Sequence, residues 1–125
     1  MAGKIIADQI QSTSAGTLDT KYLVNGSAKA WTSDETLVSS NTTYTGDTFN
    51  VSSVTDSTTG QCLVNFASAM GNTGFSSHGT QNGYSVNDIV STKEDQLTTS
   101  RDDVYIYDGA YKDAPFSYVV FGDLA

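Results

Sequence analysis

Residues 49–67 restrict the fold more than any other part of the chain. Phe49-Asn-Val-Ser-Ser-Val-Thr55 and Gln61-Cys-Leu-Val-Asn-Phe-Ala67 are rich in β-branched and aromatic residues, and Asp56-Ser-Thr-Thr-Gly60 separates them. Two such runs around a polar loop ending in glycine predict an antiparallel hairpin. Cys62, Val64 and Phe66 share one face of the second run. In the first run Phe49 and Val51 fall on one face and Val54 on the other. Either a bulge at Ser52-Ser53 shifts the parity, or both faces are partly covered.

The rest of the chain reads the same way. Residues 4–11 predict a short strand and turn, with Ile6 and Ile10 on one side, a single helical turn being the alternative because the two are also four apart. Residues 17–25 alternate Leu18, Tyr22 and Val24 against Asp19 and Lys21 until Asn25-Gly26 stops them, which predicts a second strand. Ala28 and Ala30 alternate with Lys29 and Trp31. Four glycines and almost no aliphatic side chain in residues 71–84 predict a long loop or irregular strand. Residues 103–107 and 116–121 close the chain as strands, the last apolar on both faces, as in a strand covered on both sides. The count is six to eight strands, with no helix, linker or repeat.

Composition agrees with this. Roughly a quarter of the 125 residues are Ser or Thr, and the residues that dominate helical proteins are sparse or scattered. Seven Tyr, five Phe and one Trp imply buried surface rather than disorder. The expectation is one all-β domain, an antiparallel β-sandwich-like fold preceded by a short N-terminal segment.

A formal charge of −8 repels phosphate, and the six cations form no cluster, so nucleic acid and anionic membrane are poor partners. Cys62 is the sole cysteine and allows no intramolecular disulfide. The start lacks a signal-peptide pattern, and no stretch reaches transmembrane length. Catalysis needs convergent acids, bases or nucleophiles, and this sequence offers one His, one Cys and two Glu. The reading is therefore not an enzyme, with no cofactor and no metal. Asp102, Asp103, Asp108 and Asp113 do not match an EF-hand spacing and read as solvated acids. Cys62 reads as a buried, inert thiol. Phe75, Tyr84, Tyr105, Tyr107 and Tyr111 lie in or beside glycine-rich and acidic loops, and aromatic faces with short polar side chains suit sugar receptors.

Several segments carry a resemblance: Ser27-Ala-Lys-Ala-Trp31, Asp47-Thr-Phe-Asn-Val-Ser-Ser-Val-Thr-Asp56 with Gly60 and Val64-Asn-Phe66, Met70, and Val119-Val-Phe-Gly-Asp123. Together with Ile6-Ala-Asp-Gln-Ile-Gln and Ser-Ala-Gly16, they resemble a module of tail-fibre-like virion proteins of marine and cyanobacterial phages. Residues 71–113 match only loosely. The resemblance implies a virion location after synthesis in the host cytoplasm, a β-sandwich-like domain and threefold assembly, with no catalytic residues. Residues 1–26 would attach to other phage structural proteins, and residues 27–125 would form the β domain facing a host glycan or protein. Phe75, His78 and Tyr84 are the expected receptor-binding residues. A capsid-decorating or head-fibre protein and a free carbohydrate-binding module are the alternatives.

Overall fold

The computed structural model describes residues 7–14, 16–33, 43–44, 47–81, 89–92, 97–107 and 109–125. Two sheets of antiparallel strands pack face to face. The four-stranded sheet contains β3 (Ala28–Ser33), β5 (Asp47–Phe49), β8 (Ser76–Gln81) and β11 (Phe116–Phe121), in the order β5-β3-β11-β8. The five-stranded sheet contains β4 (Thr43–Tyr44), β6 (Val51–Thr58), β7 (Gln61–Phe66), β9 (Ile89–Thr92) and β10 (Arg101–Tyr107), in the order β4-β6-β7-β10-β9. The all-β, sandwich-like expectation is met, with more strands than the sequence suggested.

The predicted hairpin is β6–β7, and the parity conflict resolves as a bulge. The register slips between Val51 and Ser53, after which Val54 pairs with Val64 and Asp56 with Cys62. The slip turns Val54 to the same face as Cys62, Val64 and Phe66, and all four are buried. Gly60 closes the turn at φ 72°. A Cβ there would lie 2.7 Å from the Lys112 amide nitrogen and 2.8 Å from the Ile106 carbonyl oxygen, so both conformation and space require glycine.

Asn50 alone separates β5 from β6, although the two belong to different sheets. It turns this corner with φ 54°, a left-handed conformation that Asn tolerates better than most residues. Its side-chain amide donates to the Ser68 carbonyl, and its oxygen accepts from the Ser68 N–H at 2.7 Å. The corner is thereby tied to the end of β7.

Alternation builds the core between the sheets. Ala30, Val54, Cys62, Val64, Phe66, Val104, Ile106, Phe116, Tyr118 and Val120 point inward and are buried, with Met70 and Ala114 completing the cluster. At one edge the sheets converge, and Gly79 of β8 lies against Val90 of β9 with no room for a Cβ. Cys62 is 1% exposed on the inner face, opposite Val104 and Asp56. Cys62→Ser should leave the fold intact and lower stability by about 1–3 kcal/mol, the cost of burying a hydroxyl where the core is packed around a thiol. Denaturant unfolding measures that loss, and thiol reagents should leave the native wild-type protein unlabelled.

One expectation needs correction, and one open reading is resolved. The strand expected over residues 17–25 ends at Asp19: β1 (Gln9–Ser12) and β2 (Gly16–Asp19) pair as a separate hairpin, and α1 (Thr20–Gly26) follows. The Thr20 N–H and hydroxyl bond the Asp8 carbonyl, ending the ladder and starting the helix. Tyr22, Leu23 and Val24 are exposed on α1, so no buried sheet face holds them extended. Of the two readings of residues 71–84, loop or irregular strand, Ser76–Gln81 takes the second and does so regularly, because β11 supplies a full antiparallel ladder there. Small side chains suit that position, where Gly79 must admit Val90.

Candidate functional site

The outer face of the four-stranded sheet is the first unusual surface. Trp31 pairs with both Phe49 and Val119, and Val119 pairs with His78, so these four form one row across all four strands. Directly opposed residues share a face, and Phe121 extends the apolar area from two positions along β11. Trp31 is 39% and Phe49 50% exposed. Ser33, Ser117 and Thr80 continue the face without charge, leaving Asp47 at one margin and Lys29 at the β3 bulge. Lys29 is buried, its Nζ donating to Ser27 Oγ at 2.6 Å. The final strand is apolar on both sides, as the sequence indicated, but only its inner side is covered within the chain.

The second feature is a cleft of about 620 Å³ between the converging edges, lined by residues 73–77, Thr92 and Leu97. Phe75 stands at its mouth, half-buried, with its ring edge-to-face on Phe66 at a centroid distance of 5.6 Å. Ser77 faces inward from β8, beside Asp102 and Tyr118.

Asp102 and Tyr118 link the sheets through the core. The Tyr118 hydroxyl donates to Asp102 Oδ2, and both residues are buried. Burial pushes the Asp102 carboxyl above its ordinary 3.8 despite the lowering influence of Tyr118, Ser77 and the Asp103 backbone, and the neighbouring Asp103 charge adds to the rise. Burial and the Asp102 charge raise the Tyr118 phenol well above 10. Neither acid is solvated, which corrects the sequence reading. Asp103 faces outward but is 1% exposed, covered by Arg101, whose Nε lies 3.3 Å from Oδ1, and by the Gln61 amide. Strand parity puts Asp102 with Val104 and Ile106, and that was the available signal for a buried acid.

The raised carboxyl sets a pH dependence. Below about pH 3.8 the group is protonated in folded and unfolded chains alike. As pH rises, the unfolded chain ionises first, so this group's contribution to stability falls until the folded value is passed. Asp102→Asn keeps an acceptor for Tyr118 without the ionisation. The variant should therefore gain stability relative to wild type between pH 4 and 7, measured by denaturant unfolding at each pH. A constant difference across that range would remove the account of Asp102.

A tyrosine cluster forms the third feature. Tyr111 contacts Tyr105 at 5.8 Å and Tyr107 at 5.5 Å between centroids, and Tyr107 and Tyr111 are about half exposed. The rings touch, so they make a platform with no cage between them.

Of the expected receptor-binding residues, Phe75 lines the cleft, while His78 is exposed on the opposite, outer face of its sheet. Tyr84 lies outside the described residues. Phe75 and His78 therefore do not share one surface. Among the described residues no group of three or more His, Cys, Asp or Glu could hold a metal ion, and no helix is long and apolar enough to cross a membrane. No protein-family model, curated protein or solved structure matches the chain.

Proposed function

We propose that this chain is a non-enzymatic structural subunit of a bacteriophage particle, a fibre or spike tip that assembles as a homotrimer and contributes to host attachment. The observation that carries the assembly half is the outer face of the four-stranded sheet. A chain with 14 acidic and 6 basic residues repels copies of itself, and the Phe49–Trp31–Val119–His78 row is where that repulsion is least. Apolar area with aromatic residues at its centre is also what a stable interface uses. A second copy is the occupant we assign to it. The particle half rests on the sequence segments that resemble tail-fibre-like proteins, most of which lie in β3, β5, β6, β7 and β11.

Mass spectrometry of gradient-purified particles from infected cells tests the assignment. The chain should co-purify with intact particles and, after disruption, with their fibres or tails. Recovery with emptied heads would transfer it to capsid decoration. Recovery only as free protein would remove the virion reading.

A further inference from the structure

The chain carries a second open apolar surface, on the N-terminal unit formed by β1, β2 and α1. The two strands are four residues each and the helix is seven. A lone two-stranded hairpin and a helix shorter than ~12 residues are both marginal in water, so such a unit holds its shape best when something covers it. The hairpin has two unlike faces. On one, Gln9 opposes Asp19, with Gln9 Nε2 donating to Asp19 Oδ1 at 2.7 Å, and Gln11 opposes Thr17; on the other, Ile10 opposes Leu18. Ile10 and Leu18 are exposed, as are Tyr22, Leu23 and Val24 of α1. Five large apolar side chains of one small unit thus stay open to solvent.

Charge and symmetry together say what covers them. Of the chain's 14 acids and 6 cations, Asp8, Asp19, Lys4 and Lys21 fall in residues 1–26 and cancel, so the entire −8 belongs to residues 27–125. Two β domains brought face to face repel each other, whereas a neutral N-terminal unit approaches the β domain of another copy without that cost. A self-complementary patch produces a twofold dimer. A closed threefold ring needs two different surfaces on every chain, each meeting the other on a neighbour. The Phe49–Trp31–Val119 row is one of them. Trp31 and Phe49 stay exposed although α1 of the same chain is joined to β3 by Ser27 alone, so their cover comes from another chain.

We propose that the N-terminal unit of one copy seats on the Phe49–Trp31–Val119 row of the next, through Ile10, Leu18 and the apolar residues of α1, and that three such head-to-tail contacts close the trimer. The contact rests on the homotrimer reading and assigns the part of the second copy that fills the row.

Light scattering of full-length Leu18→Glu tests this, with circular dichroism to check its fold. Leu18 is exposed in the single chain, so the variant should stay folded, and its association constant should fall at least ~10-fold. A second measurement locates the contact. Tyr22 is replaced by a photoreactive benzoylphenylalanine in a mixture of chains labelled with light and heavy nitrogen, and the adducts are mapped by mass spectrometry. They should join Tyr22 of one label to Trp31, Phe49 or Phe121 of the other. Adducts confined to one label, or joining two N-terminal units, would overturn the proposal. If Leu18→Glu still forms the trimer while Trp31→Glu does not, the row remains an interface and the N-terminal unit is not its occupant. If that Leu18→Glu trimer is also lost from purified particles, the unit docks on a different particle protein, which overturns the proposal too. A monomeric wild type would remove the trimer reading and this contact with it.

Discussion

Trp31→Glu should convert the assembled protein to folded monomers. Trp31 stands in the middle of the outer row with Phe49 on one side and Val119 on the other, so a second copy seated on this face must cover it. The substitution removes a large apolar contact and places a carboxylate where it would have to be desolvated. An interfacial Trp is commonly worth about 2 kcal/mol or more, and a buried unpaired charge costs further. The association constant should fall by at least ~30-fold. The side chain points away from the core, so circular dichroism and thermal unfolding of the dilute protein should change little. An unaltered oligomer would show that copies meet elsewhere. Phe49→Glu, at the edge of the same row, should act in the same direction with a smaller effect.

Phe116→Ala should cause the largest loss of stability. Phe116 is completely buried on β11, an inner strand of the four-stranded sheet, and has no polar atom that could compensate. Truncating a buried Phe costs about 3–5 kcal/mol through lost transfer energy and the cavity left behind. Domains of this size hold only ~5–15 kcal/mol in total, so the variant should unfold at much lower denaturant with an unchanged slope. A shift below about 1 kcal/mol would mean that the two sheets do not pack around this ring. Gly60→Ala should be damaging for a different reason, since its left-handed turn is pressed against Lys112 and Ile106.

Strands were legible where strict alternation met a buried face. The β6–β7 hairpin, β3, β10 and β11 could all be read from the sequence, and the bulge at Ser52 was one of two readings of a parity conflict. Residues 17–25 misled because Leu18, Tyr22 and Val24 satisfy a period of two without a sheet to bury them. The strand β8 was legible only as one of two readings, because Ser, His and Gly carry little β signal of their own, and its regular ladder with β11 is a tertiary effect. The apolar row was invisible for a related reason: Phe49, Trp31 and Val119 are far apart in the chain, and only strand order brings them side by side. The cleft was half legible. Phe75 was singled out, but Thr92, Leu97 and the Asp102–Tyr118 link behind Ser77 depend on how the sheet edges converge.

Light scattering of the purified chain over a range of micromolar concentrations tests the central claim most directly. The account predicts a particle of three times the 13.2 kDa chain mass that stays assembled on dilution. A dimer would keep the apolar face as an interface but remove the threefold fibre assignment. A fully folded monomer at every concentration would contradict the account.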